Sequence, residues 1–287
     1  MNFFNLPGLR KFEYRYGPFL NGNTLGFEVN KNWRNFSKYC SSKYISSANQ
    51  YDLDKAQTLK RDGLAILDKV DVTLLSKKVY QYFQNDDSLF SQMDLENQIK
   101  LTDDIYDILC KVKNPVQEYF QSHFRPYWIS IQKTSPGKAS TASSFGWHID
   151  DNPKQMIKLF VYLNDVKESN GAFRAFPWKV SKKILKEGFR SNSEEVRTRN
   201  HSKIDDFLLK NPDSIRILEG EKGTVLGFDN NLVHKGTAPR EGFRLAIQIP
   251  VIPSPEPLMK KDVESALISS RKRDYPKNPF VKEFGDK

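Results

Sequence analysis

His148, Asp150 and His234 are the residues of this chain whose types and spacing could hold a reactive metal ion. The first two stand in Trp147-His148-Ile149-Asp150, and the third ends Asn230-Asn231-Leu232-Val233-His234. Side chains alternate faces along a strand, so His148 and Asp150 point one way and Ile149 the other. A histidine from a distant strand then completes a three-point face on one ion. Two imidazoles and a carboxylate leave positions open on an octahedral metal, the pattern of non-heme Fe(II) oxygenases, although zinc accepts such a set too. Arg244, ten residues beyond His234, adds a planar fork suited to the carboxylate of a co-substrate. A His-x-Asp pair alone is common, but this chain has four histidines and two of them fall at strand ends beside turns. Asp151 competes for the carboxylate role, and strand phase puts it on the wrong face. Arg240 competes with Arg244, and its turn, 238–242, should face solvent.

The elements that must position these residues follow from periodicity. Asp54 to Arg61 reads as a helix closed by Gly63, and Leu64-Ala65-Ile66-Leu67 as a short strand. Asp71 suits a helix N-cap, followed by a stripe of Leu75, Val79, Tyr82 and Phe83. A further helix starts near Asp103 with Ile105, Ile108, Leu109 and Val112 on one face. Pro115 opens another bearing Val116, Tyr119 and Phe120. From Tyr127 the character changes to short strands: 127–134, 145–150, 156–163 and 172–176, the last after an Asn170-Gly171 turn. A charged, largely helical insertion, 179–213, interrupts them and is expected to serve as a lid over the site. Strands resume at 214–218, 224–228 and 244–251. Many short strands behind flanking helices predict a mainly β fold, a double-stranded β-helix or cupin-like jelly-roll barrel. The whole of 1–287 reads as one domain: a wrapping segment 1–54, helical support 55–126, a jelly-roll core 127–252 and a basic tail 253–287.

Composition bounds the rest. At 287 residues, 38% hydrophobic, the chain can bury one substantial core. No apolar run is long enough to span a membrane, and the first residues lack a secretory pattern. Cys40 and Cys110 are too few for a disulfide framework, so a reducing cytoplasm is expected. The net charge of +10 raises the question of nucleic acid, but no basic segment with regularly interleaved aromatics accompanies it, which disfavours that partner. Residues 179–203 hold eight Lys or Arg against three Glu, which leans toward an anionic small-molecule substrate. Two other readings stay open: a non-catalytic binding protein on the same frame, and an oxygenase or binder directed at nucleic acid.

The chain also resembles the phytanoyl-CoA dioxygenase-like group of Fe(II)/2-oxoglutarate-dependent oxygenases over roughly residues 55–252. The residues that carry the resemblance are 59–67 as the opening helix-to-strand element, Trp147-His148-Ile149-Asp150, Val161-Tyr162-Leu163-Asn164-Asp165, the stretch 169–177 with its Asn-Gly turn and closing proline, and His234-Lys235-Gly236 with Asn231 before it and Arg244 after. The family's Pro-Gly-Ser-His is here Pro177-Trp178-Lys179-Val180, a departure that bears on the substrate rim rather than on iron.

The resemblance implies Fe(II) on His148, Asp150 and His234, 2-oxoglutarate chelating the metal with its distal carboxylate on Arg244, and O2 at the remaining position. It implies oxidative decarboxylation to succinate and CO2 with hydroxylation of an unactivated C–H bond. Related halogenases replace the carboxylate ligand with Gly or Ala, so retention of Asp150 favours hydroxylation, desaturation or ring chemistry over halogenation. Gln132 and Thr134 share a strand face where the family places polar contacts to 2-oxoglutarate, and Phe160 matches its co-substrate-lining aromatic position. Lys158 shares the Phe160 face and either reaches a carboxylate or meets solvent. Trp147 and Trp178 are candidates for the substrate mouth, or for the core.

Overall fold

The structure is a computed structural model that describes residues 38–139, 143–150, 156–187, 189 and 194–272. Helix α1, Gln50–Asp62, opens with a reciprocal cap between Asn49 and Asp52, and Gly63 closes it through its N–H to the Leu59 carbonyl, 2.8 Å. Strand β1, Leu64–Lys69, runs on to α2, Thr73–Phe83, whose N-cap is Val72 with no side-chain cap rather than the expected Asp71, which stands one residue earlier and accepts from the Thr73 N–H at 2.9 Å. Then come β2 (Phe90–Gln92), α3 (Leu95–Ile99), α4 (Thr102–Lys111) and α5 (Lys113–Phe120), with Pro115 in the first turn of α5, where no intrahelical N–H is needed.

The remaining strands are β3 (His123–Pro126), β4 (Ser130–Thr134), β5 (Ile157–Tyr162), β6 (Phe173–Ala175), β7 (Arg216–Leu218), β8 (Thr224–Asp229), β9 (His234–Lys235) and β10 (Arg244–Ser254). Between β6 and β7 lie α6 (Trp178–Lys186) and α7 (Glu194–Lys210), and α8, Lys260–Lys272, follows β10. They form two antiparallel sheets. The larger has the order β1-β8-β5-β10-β4-β2, with β3 also on β10, and the smaller the order β7-β6-β9. Neither sheet closes on itself, so the arrangement is jelly-roll-like in its two facing sheets and not a closed barrel.

The large sheet partitions the molecule by side-chain alternation. Leu245, Ile247, Ile249, Leu159, Val161 and Ile131 face the helices, packing on Val79, Ile105, Leu109 and Val116. Ala246, Phe160, Tyr162, Leu226 and Phe228 face the small sheet, meeting Phe173 and Ala175. Each such side chain contributes on the order of 1.5–3 kcal/mol by burial.

Four further expectations need correction. Residues 145–150 form turns and one bridge, His148 to His234, rather than a strand. The pairing at 127–134 begins at Ser130, and His123–Pro126 is a separate strand. The segment 253–287 is not simply a tail, because α8 buries Val263, Ala266 and Leu267 in the helix-side core. Tyr82 lies off the buried stripe of α2, its hydroxyl donating to Asp94 at 2.8 Å. The wrapping role of residues 1–54 and the end of the basic segment fall largely outside the described residues.

Gly223, in the turn before β8, has φ +89° and hydrogen-bonds Val70 and Tyr162. A Cβ there would collide with the Val70 carbonyl oxygen. Gly223→Ala is therefore expected to destabilise the fold by about 2 kcal/mol or more, from the left-handed backbone plus the displaced β1–β8 pairing. Urea unfolding checks this, and an unchanged midpoint would refute it.

Candidate functional site

The backbone bridge between His148 and His234 builds the site. Each N–H donates to the other's carbonyl at 2.9 Å, and the rings lie 4.3 Å apart. Leaving this bridge, Trp147 and Ile149 turn into an apolar cluster with Phe176, Ile184, Leu185, Phe189, Ile204 and Val233. His148 and Asp150 turn the opposite way. The period-two placement thus survives where a regular strand does not. The insertion packs on the residues that flank the ligands, and none of its described residues lines the cavity beside them. Lys182 and Lys183 lie over the Trp178 and Phe207 rings, so this part of the basic stretch faces its own helices. Its behaviour as a lid stays an expectation.

The donor atoms of His148, Asp150 and His234 all lie within 4.8 Å of one another. His148 Nε2 is 3.7 Å from Asp150 Oδ1, and His234 Nε2 is 3.6 Å from Oδ2. Each imidazole donates its Nδ1–H to a backbone carbonyl two residues earlier, Gly146 and Leu232, both at 2.8 Å. That fixes the ring planes and directs both Nε2 atoms to the common centre. Burial alone would raise the Asp150 carboxyl. The Lys158 ammonium and then the two imidazoles outweigh it and hold the group below the usual carboxylate range. His234 is pushed down to about 3 by burial and by the neighbouring His148, despite the opposing pull of Asp150. Two imidazole Nε2 atoms and a carboxylate converge, which is the donor set a divalent transition metal needs.

A cavity of about 140 Å³ opens on the triad, lined by His148, His234, Lys158, Phe160, Gln132 and Arg244 among others. Lys158, on β5, does not face solvent. Its Nζ lies 2.6 Å from Asp150 Oδ2. Arg244 begins β10 opposite Thr134 on β4, so both side chains face the cavity side of the sheet. The guanidinium is buried, donates to the Gly171 carbonyl and to Thr134 Oγ1 at 3.3 Å, and pairs with no acid among the described residues. Burial lowers its pKa from the ordinary value, although Tyr162 pulls the other way. Gly171 presents its carbonyl from a φ of +96°, and a Cβ there would stand 2.7 Å from the Thr237 carbonyl. Gln132 accepts from Gln248 and donates to Ser130, each at 2.7 Å. Phe160, Phe173 and Phe228 stack beside His234, with ring centroids 4.4 to 5.6 Å apart. Trp147 is fully buried and Trp178 packs on the inner apolar cluster, so neither lines the cavity. Asp151 lies outside the described residues.

Two features escaped the sequence reading. Gln248 was legible in principle, since it shares the phase of Arg244 and Ala246 on β10. Asp229 was not, because Asp229-Asn230-Asn231 reads as a turn. It is buried, accepts from Tyr119 at 2.9 Å and from Asn231 N–H and Nδ2 at 2.8 Å, and so holds the loop that leads to His234. Burial raises it to about 6 even though those donors pull it down. The unfolded carboxyl titrates near 3.9. Between those values the unfolded chain gives up its proton while the folded one keeps it. This group's contribution is therefore fully present below pH 4 and lost as pH rises through 6, about 3 kcal/mol in all. Asp229→Asn should remove that downward slope between pH 4 and 6. Urea midpoints across pH measure it, and parallel profiles for the two proteins would sink the assignment.

No family model matches this sequence, and no curated protein matches it. Solved structures do. The epimerase SnoN, in complex with Fe3+, alpha ketoglutarate and nogalamycin RO, is 12% identical over 71% of this chain and 85% of that one, with a TM-score of 0.51. EctD from S. alaskensis with 2-oxoglutarate and 5-hydroxyectoine is 13% identical over 72% and 79%, TM-score 0.48. HygX from Streptomyces hygroscopicus with nickel and 2-oxoglutarate bound is 11% identical over 72% and 88%, TM-score 0.48. The SnoN comparison shows a shared fold. That SnoN structure holds Fe3+ and alpha ketoglutarate, and the triad described above could hold a metal ion. No helix among the described residues is long and apolar enough to cross a membrane.

Proposed function

We propose that the chain is an Fe(II)- and 2-oxoglutarate-dependent oxygenase of the phytanoyl-CoA dioxygenase-like kind, hydroxylating an unactivated C–H bond of a small, anionic organic substrate. The observation that carries this reading is one cavity shared by His148, His234 and Arg244, with Asp150 completing the donor set and no acid on the guanidinium among the described residues. His148, Asp150 and His234 would hold the metal, and Arg244 the distal carboxylate of 2-oxoglutarate. When bound there, iron and 2-oxoglutarate would supply activation of O2, the oxidant, with one oxygen atom ending in succinate as CO2 leaves and the other in the substrate.

The protein's own part is positioning and exclusion. Thr134 steadies the Arg244 fork, Gln132 provides polar contact along the same lane, and Phe160 with Phe173 and Phe228 walls off water beside His234. Lys158 holds one oxygen of Asp150 and leaves the other for the metal. Cys40 and Cys110 outside any disulfide and the need for ferrous iron fit a reducing cytoplasm.

Anaerobic addition of 2-oxoglutarate to the Fe(II) protein, followed by admission of oxygen, tests the function. Expected are a visible charge-transfer band on addition and succinate on oxygenation. Iron binding with no response to 2-oxoglutarate would overturn the reading. Binding of both without succinate, across a panel of small organic anions, would leave a binding protein on the same frame.

A further inference from the structure

Asp229 lines no part of the cavity beside the triad, yet the turn it begins reaches two of the three donors. The Asn230 carbonyl accepts from the Asp150 N–H at 3.2 Å, and the Leu232 carbonyl accepts from His234 Nδ1–H at 2.8 Å. The stretch 229–232 therefore sets the backbone of the carboxylate donor and the ring plane of one imidazole.

The other groups of that turn converge on Asp229. The Leu232 N–H donates to the Asp229 carbonyl at 3.1 Å, and the Asn231 N–H and Nδ2 donate to its Oδ1 at 2.8 Å. Its Oδ2 accepts from the Tyr119 hydroxyl at 2.9 Å, and its N–H donates to the Gly63 carbonyl at 2.7 Å. Tyr119 stands on α5 against the helix-side core, and Gly63 closes α1. The turn is thus fastened to two helices through one residue. The stretch is further tied by Asn230 N–H to the Met156 carbonyl at 3.4 Å and by Val233 N–H to Ser181 Oγ at 3.0 Å. Burying a carboxylate that no cation pairs among the described residues costs stability, and burial accordingly raises this group to about 6. What the fold gains is an acceptor that can take donors on both oxygens at once.

We propose that Asp229, fastened by Tyr119, is a positioning residue for the metal centre: it sets the affinity of the triad for a divalent ion by fixing the turn from which Asp150 and His234 are aimed. The inference rests on the reading of His148, Asp150 and His234 as metal ligands.

Titration of Co(II) into the full chain, followed by visible absorption, reads affinity and ligand geometry together. Asp229→Ala should weaken Co(II) binding by roughly ten- to a hundred-fold, the usual effect of removing a group that orients a ligand, and displace the absorption bands. Tyr119→Phe removes a single hydrogen bond and should weaken binding by about threefold or more. It takes the place of the alanine variant if that one fails to fold. Asp229→Asn keeps an acceptor for Asn231 and can donate to the Tyr119 oxygen, so its affinity should stay within about threefold of the parent. Gly223→Ala, at the opposite end of β8, is the control: it lowers stability without touching the turn and should leave Co(II) affinity and bands unchanged.

Parent affinity in both Asp229→Ala and Tyr119→Phe would overturn the proposal. So would an equal loss in Gly223→Ala, because the effect would then follow stability alone. Equal loss in the asparagine and alanine variants would overturn it too, since charge and not the hydrogen-bonded turn would then govern the metal. A parent that takes up no Co(II) removes the ligand reading and this inference together. Binding that is lost in His148→Ala but untouched in Asp229→Ala removes this inference alone.

Discussion

Changing His234 to alanine is expected to abolish metal-dependent turnover while both sheets still fold. The ring is buried, donates to the Leu232 carbonyl and packs against Phe173 and Phe228, so its loss costs roughly 1–3 kcal/mol of stability, within what a folded domain can spare. The chemistry has no such reserve, because one of three metal donors disappears. His148→Ala should behave alike. Asp150→Ala should differ in one respect: it strands the Lys158 ammonium in a buried position, which costs about 3–5 kcal/mol when a buried partner is removed. Its melting temperature is therefore expected below that of either histidine variant. Metal stoichiometry, succinate formation and thermal melts on the three proteins decide the matter. Full activity in any of them would mean that the wrong ligand has been named.

Arg244→Lys should weaken 2-oxoglutarate binding by roughly ten- to a hundred-fold while metal affinity stays where it was. Lysine keeps the charge but not the planar fork, and a charge-assisted hydrogen bond of this type contributes about 1.5–3 kcal/mol, at about 1.4 kcal/mol per tenfold. The guanidinium here is held by the Gly171 carbonyl and Thr134 Oγ1. A lysine would lose that seating as well. Arg240 is exposed in the turn before β10 and serves as the control. Anaerobic titration of the Mn(II) form measures both affinities. Unchanged binding in Arg244→Lys, with a large loss in Arg240→Ala, would transfer the role to Arg240.

The strongest pattern in the sequence was period-two alternation, and it carried the furthest. It grouped Gln132 with Thr134 and Lys158 with Phe160 and Tyr162, and put His148 and Asp150 together even though their segment turned out to be a bridge between turns. Alternation describes where Cβ atoms point, and that requirement outlasts regular hydrogen bonding. What it could not show is pairing. Lys158 was equally compatible with solvent until the fold brought Asp150 to it from another segment. Asp229 was hidden because a buried carboxylate and a turn carboxylate look alike in sequence, and its partner Tyr119 comes from a distant helix. Helix α8 was missed for a different reason. Three prolines and a run of charge read as the end of the fold, yet Val263, Ala266 and Leu267 already stood at helical spacing.

The bridge between His148 and His234 has a consequence for how the chain assembles. These residues are far apart in sequence, and their pairing closes the long loop from one to the other, so it is among the contacts that cost the most chain entropy and form late. A slip of one residue on either side would turn Trp147 or Val233 inward and carry a ligand to the opposite face. A bound metal would therefore act as a proofreader of strand register, stabilising one alignment and leaving the slipped ones without its binding energy.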